Sequence, residues 1–308
     1  MRQAIKNYPA SVRSRLEKAA KESDRGFSEV LLFYSMERFL YRLTQIPEGS
    51  SFILKGGVMF RVWDAAAPRP TRDLDLMSSS TNDMAELSRI MSSACAVSFE
   101  EDGIVFDPKS IRAEKIKEDA DYEGVRIKLE GKLGTAKTPL QIDIGFGDVV
   151  VPKPVVIDYP TIIDLPAPKL KTYTKESVIA EKLHAMVFLG SMNSRMKDFY
   201  DVWFLASHFD FEGKTLAEAI KQTFKRRKTD IEFDPIAFRP DFASRAQKKI
   251  QWDSFYRKLQ TDVPENQAIS LPDALTVVKA LTVSPMVALI EQKAFSGRWH
   301  HSAGKWSQ

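Results

Sequence analysis

The chain has 308 residues, about two domains' worth, and its 44% hydrophobic and 28% charged content suits a globular protein with a large buried core. One cysteine, Cys95, excludes an intrachain disulfide, and with only four histidines there is no Cys/His zinc cluster, so any metal is expected on oxygen ligands, as Mg²⁺ or Mn²⁺. The net charge is +4, the start is mixed in charge (Arg13, Arg15, Glu17, Lys18, Lys21, Glu22) with no leader pattern, and no continuous apolar run nears the ~20 residues of a membrane span; a cytoplasmic protein with no membrane partner is expected.

Residues 10–47 read as two helices, one striped by Val12, Leu16 and Ala19, the other by Val30, Leu31, Tyr34, Phe39, Leu40 and Leu43. Pro47-Glu48-Gly49-Ser50-Ser51 breaks the pattern. Phe52-Ile53-Leu54 then reads as a short buried strand ending in Gly56-Gly57, with a helical turn through Met59, Phe60, Val62 and Trp63 and a loop at Pro68 and Pro70. Leu74 and Leu76 alternate with Asp73 and Asp75, a strand pattern. A helix is expected from Asp83 to Ser93. A hairpin is expected between Val97-Ser98-Phe99 and Ile104-Val105-Phe106, around Asp102-Gly103. Alternation at Val125, Ile127 and Leu129, and at Leu140, Ile142 and Ile144, completes a mixed unit of about five strands.

Pro152 to Pro168 is proline-rich and extended, a candidate boundary. We divide the chain into residues 1–165, holding the N-terminal helices and a strand-containing core, and residues 166–308, a helical half. Helices are expected at 174–190 and 195–208, with more to about Gln292 and a loose tail from Ser296. The basic excess is local: Lys214 to Lys258 holds twelve Lys/Arg against six Asp/Glu, including Lys225-Arg226-Arg227-Lys228 and Lys248-Lys249. Such a patch suits the phosphates of RNA, and it also suits a solvated helix face.

Asp73 and Asp75, two apart in a strand, point to one face. Their mutual repulsion is relieved by a divalent cation. Asp143, a polar position inside Leu140-Gln141-Ile142-Asp143-Ile144, is the third candidate ligand if its strand lies beside the first. Three carboxylates can hold ions for in-line displacement at phosphorus. Gly56-Gly57, between a strand and a helix start, lets backbone N–H groups approach phosphate, with Lys55 beside the turn to supply charge. The order of strand, Gly-Gly, helix and Asp-x-Asp strand, with 16 residues from Gly57 to Asp73, resembles the nucleotidyltransferase superfamily of the DNA-polymerase-β type.

A second cluster is Ala180-Glu181-Lys182-Leu183-His184-Ala185-Met186, followed by Arg195-Met196-Lys197-Asp198-Phe199-Tyr200-Asp201-Val202-Trp203. Lys182 shares an apolar stripe with Val178, Ala185 and Leu189, where it either snorkels to water or finds a partner, a triphosphate or an ion-pairing carboxylate. Asp198 is either a helix-surface partner of Arg195 or the base or orienter for an attacking hydroxyl. Tyr200 and Trp203 read as core, and His184 as a helix histidine without a catalytic role.

With both clusters, the chain resembles the AbiEii/AbiGii family of nucleotidyltransferase-like toxins. The resembling text is Glu37-Arg38-Phe39-Leu40-Tyr41-Arg42-Leu43, Phe52-Ile53-Leu54-Lys55-Gly56-Gly57, Arg69-Pro70-Thr71-Arg72-Asp73-Leu74-Asp75-Leu76, Gln141-Ile142-Asp143-Ile144-Gly145-Phe146-Gly147-Asp148 and the helical cluster. It spans about residues 10 to 208. The resemblance implies an α+β fold: a polymerase-β-like nucleotidyltransferase core with a mixed sheet, N-terminal helices and a mostly α-helical C-terminal half. It implies an enzyme paired with an antitoxin protein and transferring nucleotides from an NTP to the 3′ acceptor ends of tRNA, which blocks aminoacylation. By the same resemblance Gly56, Gly57, Lys182 and Arg195 bind nucleotide, Asp73, Asp75 and Asp143 hold metal, and Lys182 and Asp198 join them in catalysis, while Lys55 and Arg72, by their place beside these motifs, are further candidates for binding nucleotide. Lys225, Arg226, Arg227, Lys228, Lys248 and Lys249 are the expected RNA contacts. One departure is that the superfamily's usual Gly-Ser is Gly56-Gly57 here, which removes a hydroxyl from the phosphate site. Alternatives are nucleotidylation of a protein or small molecule, a non-catalytic NTP-binding regulator, and a nuclease.

Overall fold

The structure, a computed structural model, describes residues 7–63, 71–119, 122–259 and 269–307. The loop expected at Pro68 and Pro70, and the Arg69-Pro70 pair of the family-like text, lie outside the described residues. The chain forms two compact units. One comprises the residues up to Gly147 with Val155–Thr172, the other Asp148–Pro154 with Tyr173 onward.

The first unit opens with α1 (Tyr8–Glu22), started by Asn7, whose Oδ1 accepts from the Ala10 N–H at 3.1 Å, with proline in the first turn. Helix α2 (Phe27–Thr44) buries Leu31, Phe39, Leu40 and Leu43, but also Glu37, Arg38 and Arg42. These charges are matched. Arg42 donates to Asp102 at 2.6 and 3.1 Å, and Glu37 accepts from the Ile162 N–H at 2.8 Å beside the Arg38 guanidinium. Burial pushes the Glu37 carboxyl up to about 7, with Arg38 opposing it.

The sheet has seven strands: β1 (Phe52–Lys55), β2 (Asp73–Ser78), β3 (Ile104–Asp119), β4 (Tyr122–Leu133), β5 (Ala136–Phe146), β6 (Val155–Asp158) and β7 (Lys169–Thr172), in the order β3-β4-β5-β2-β1-β7-β6. It is mixed: β2 and β5 run parallel, as do β1 and β7, and the other pairs are antiparallel. Short α3 (Met59–Trp63) follows β1, and α4 (Met84–Ala96), capped by Asp83, follows β2. Leu54, Leu74, Leu76, Ile127, Ile142 and Ile144 carry the core face, all below 1% exposed, and this apolar layer packs with α2 and α4.

Two expectations change here. Val97–Phe99 forms no hairpin with Ile104–Phe106: Val97 ends α4, and β3 pairs with β4 instead. The expected division at residue 165 falls inside the first unit, because β7 pairs with β1, and the chain passes between units after Gly147, Pro154 and Thr172.

The second unit contains α5 (Lys175–Leu189), α6 (Met196–His208), α7 (Gly213–Arg226), α8 (Pro240–Ser244), α9 (Ala246–Tyr256) and α10 (Leu271–Ile290), with a small sheet of β8 (Phe211–Glu212), β9 (Arg298–His300) and β10 (Lys305–Ser307). The tail expected to be loose is therefore a hairpin. Trp299 is fully buried and donates its indole N–H to the Ala206 carbonyl at 2.7 Å. Helix α10 has the length and mean apolarity of a membrane span, although Asp273 and Lys279 interrupt its apolar run. Leu271, Leu275, Val278, Leu281 and Met286 are buried, and the helix packs against α6 and α7.

Candidate active site

Pairing registers set one row of charge across four strands of the first unit. Lys55 on β1 is opposite Asp75 on β2, Asp75 opposite Asp143 on β5, and Asp143 opposite Arg126 on β4. Residues paired in register share a face, so Lys55, Asp75, Asp143 and Arg126 stand side by side on the face away from the aliphatic core. Two residues back on β2, Asp73 lies on the same face, opposite Gln141. The strand parity that sends Leu74, Leu76, Ile142 and Ile144 inward sends these polar residues outward.

The Gly56-Gly57 turn ends β1 beside this row. Gly56 has φ +73°, a left-handed conformation that glycine adopts without penalty. A Cβ there would sit 1.8 Å from Asp75 Oδ2, so the turn and the Asp75 carboxylate occupy adjoining space. The Gly56 and Gly57 carbonyls accept from the Met59 and Phe60 N–H groups at 3.2 and 3.3 Å, starting α3. Gly56 is half-buried and Gly57 buried. Asp73 and Asp75 are half-buried, Lys55 is buried, and Arg72 is exposed just before β2.

Asp143 is held by a fork. Arg126 Nε donates to Oδ1 at 2.8 Å and Nη2 to Oδ2 at 2.7 Å, while Gln141 Nε2 lies 3.4 Å from Oδ2. The Asp143 hydrogen bond, reinforced by the charges of Asp143 and Asp73, holds the Arg126 pKa above its ordinary value against partial burial. Among the described residues no three Asp, Glu, His or Cys side chains gather as a ready-made metal cage. The donor chemistry still fits a hard divalent cation, because Asp73, Asp75 and Asp143 offer carboxylate oxygens from one face.

The second cluster is compact in its own unit. Lys182 on α5 lies 2.8 Å from Asp198 Oδ1 and 2.7 Å from Asp201 Oδ2, both on α6. Burial pushes the Asp198 carboxyl up, but Lys182, then Lys197 and Arg195, outweigh it and hold it below the usual value. Arg195 precedes α6, its N–H donating to Asn193 Oδ1 at 2.8 Å. His184 accepts or donates with Thr229 at 2.9 Å, and burial, aided by nearby Arg227, pulls its pKa down to about 4.

The basic set divides. Lys225, Arg226, Lys228 and Lys249 are exposed. Arg227 and Lys248 correct the expectation of RNA contact. Arg227 turns inward to Asp148 at 3.3 Å, and Lys248, 3% exposed, donates to the Asn193 carbonyl at 2.5 Å. Tyr200 is core, packed with Trp203, Phe255 and Tyr256.

Sequence reasoning missed Arg126 and underweighted Asp201. The alternation Val125-Arg126-Ile127-Lys128-Leu129 already put Arg126 on the polar face of a strand. Which aspartate it faces depends on the pairing of β4 with β5, which no local pattern encodes.

Comparison with solved structures places the chain beside two proteins of Helicobacter pylori. One, given the provisional description of a nucleotidyltransferase, is 16% identical, with 87% of this chain and 98% of that chain covered and a TM-score of 0.46. The other, JHP933, is 17% identical, with 83% and 90% covered and a TM-score of 0.42. No curated protein matches. The model of the family "Nucleotidyl transferase AbiEii toxin, Type IV TA system" matches residues 38–280, from within α2 to within α10. That match covers most of the chain, including Gly56-Gly57, the three aspartates and the Lys182 cluster, so the chain belongs to the AbiEii family of nucleotidyltransferase toxins of type IV toxin–antitoxin systems.

Proposed function

We propose that this nucleotidyltransferase moves a nucleotide from an NTP onto the 3′ end of an RNA, with the acceptor end of tRNA as the target and arrest of translation as the toxic outcome. The observation that carries the chemistry is the row Lys55–Asp75–Asp143–Arg126, with Asp73 on the same face and Gly56 against Asp75. Carboxylates on one face with a glycine turn beside them suit a metal-bound triphosphate better than a neutral ligand. A divalent cation held by Asp73, Asp75 and Asp143 would neutralise phosphate charge and favour departure of pyrophosphate. Lys55 adds positive charge at the end of the row next to the turn.

In the reaction the RNA 3′ oxygen forms a bond to the α-phosphorus. The bond from that phosphorus to the β-phosphate bridging oxygen breaks, pyrophosphate leaves, and the hydroxyl proton passes to a carboxylate or water. Positioning and charge neutralisation carry such a transfer. The exposed lysines and arginine at the end of α7 favour RNA as the acceptor over a small molecule. An antitoxin protein, the second member of a toxin–antitoxin pair, is the expected macromolecular counterpart in the cell.

The test is transfer of label. Each of the four labelled NTPs is incubated with the protein, Mg²⁺ and total tRNA. Label on RNA is expected with at least one nucleotide. An Asp75→Asn variant, changed at a half-buried carboxylate, is expected to fold normally and to transfer nothing. Label on protein or on a small hydroxylated acceptor, with none on RNA, would select the alternative substrate class.

A further inference from the structure

Asp143 differs from its two companions. Asp73 and Asp75 leave one strand together, whereas Asp143 enters the row from β5 and is bound through both oxygens by Arg126 from β4. An arginine fork is a strong competitor for a carboxylate, because it matches both oxygens in geometry and in charge. The pair is sheltered: the Asp143 side chain is 11% exposed and that of Arg126 30%. Screening by solvent therefore weakens it less than it would a surface pair.

We propose that Arg126 is a positioning residue that locks Asp143 in the row, and that a divalent cation must take Asp143 from it. The inference rests on the reading of this row as the metal site. In the locked state Arg126 supplies the positive charge that lets Asp75 and Asp143 stand as in-register neighbours. Asp143 would serve the ion as a ligand only to the extent that Arg126 gives up its hold on the carboxylate, which it now grips through both oxygens. The lock has two effects. It keeps the third carboxylate aimed when no nucleotide is present, and it weakens metal binding by a protein without its triphosphate. A metal–triphosphate complex brings its own negative charge for Arg126 to meet, so the lock opens more readily for the loaded substrate than for the free ion.

The arginine fork has a consequence separate from its charge. Arg126→Lys keeps the charge but loses the two parallel bonds, and Arg126→Gln loses both. The experiment measures Mn²⁺ binding to the full chain by electron paramagnetic resonance of the free ion, without nucleotide. Arg126→Gln is expected to bind Mn²⁺ on the order of tenfold more tightly than the unmodified protein, since removing a neighbouring cation favours a second one. Arg126→Lys is expected to tighten binding by a smaller factor of about threefold. In an Asp143→Asn background, Arg126→Gln is expected to tighten binding by only the part due to its charge, about threefold, because the competition for Asp143 has lost its object.

A disrupted fold would weaken metal binding, so tighter binding cannot come from structural damage. Unchanged or weaker binding by folded Arg126→Gln would overturn the inference while leaving the metal site standing. Tightening by Arg126→Gln with none by Arg126→Lys would overturn the fork and leave only a field effect. Failure of every variant, and of the unmodified chain, to bind Mn²⁺ would overturn the underlying reading of the row as well, and Mn²⁺ binding lost on Asp75→Asn alone would uphold that reading.

Discussion

At Gly56 two requirements meet in one residue. The backbone turns with φ +73°, and the space where a side chain would begin is taken by Asp75, 1.8 Å away at Oδ2 and 2.5 Å at Cγ. Any larger residue therefore acts on the carboxylate as well as on the turn. Gly56→Ala is expected to cost about 1–2 kcal/mol of stability from the left-handed backbone. Its larger effect is on chemistry, because Asp75 has to swing aside. A loss of transfer rate on the order of a hundredfold is expected, from misplacement of a reacting group by about an ångström. Denaturation curves and label transfer on the same preparation separate the two effects. A variant that transfers label at the normal rate would show that Asp75 does not act from its observed position. The second glycine, Gly57, is buried where Gly56 is half-buried, and it shares with Gly56 the task of starting α3 through its carbonyl.

Among the elements, α5 and α6 are joined by a charge clamp that sequence reasoning left with two meanings. Lys182 lies between Asp198 and Asp201, which are 4% and 1% exposed. Deleting the lysine leaves two buried carboxylates without their shared cation. Lys182→Ala is expected to destabilise the chain by about 3–5 kcal/mol, the usual cost of breaking a buried pair from one side. The triple variant with Asp198→Asn and Asp201→Asn is expected to recover part of that loss, because the amides carry no charge to strand. Urea unfolding of the intact protein measures both. A Lys182→Ala protein as stable as the parent would mean that the clamp is not the lysine's structural role. Periodicity made both helices legible, and it marked Lys182 as a cation on an apolar stripe, but it could not say which partner the lysine meets. The same limit applies in the sheet. Parity placed Asp73, Asp75 and Asp143 on polar faces, yet the fork from Arg126 depends on strand register. Most of β3 was invisible for another reason: residues 107–119 are rich in charge, and a strand at the sheet edge with a single neighbour does not need an apolar alternation. The C-terminal hairpin was missed because Trp299 is anchored by an acceptor on α6, Ala206, 93 residues earlier.

For the molecule as a whole, the basic stretch separates into an outer and an inner set, and the separation decides how RNA binding is to be tested. Lys225, Arg226 and Lys228 stand exposed around the end of α7, where positive side chains also complement the helix dipole. Arg227, in the middle of that run, is turned to Asp148 and to His184, and Lys248 is spent on the Asn193 carbonyl. Counting charge in the sequence treats all five alike. Burial predicts two outcomes. Replacing Lys225, Arg226 and Lys228 together by alanine is expected to leave stability within about 0.5 kcal/mol. It is also expected to weaken tRNA binding and to reduce the slope of log K against log salt by about 2, at roughly 0.7 for each phosphate no longer neutralised. Arg227→Ala and Lys248→Ala are expected to do the reverse, lowering the unfolding midpoint while leaving the salt slope of the folded protein unchanged. Fluorescence anisotropy of labelled tRNA over a salt series, run beside thermal melts, resolves the two patterns. If the triple variant keeps the parent's slope, the RNA backbone is gripped elsewhere on the protein, and the local excess of lysine and arginine is only a solvated helix end.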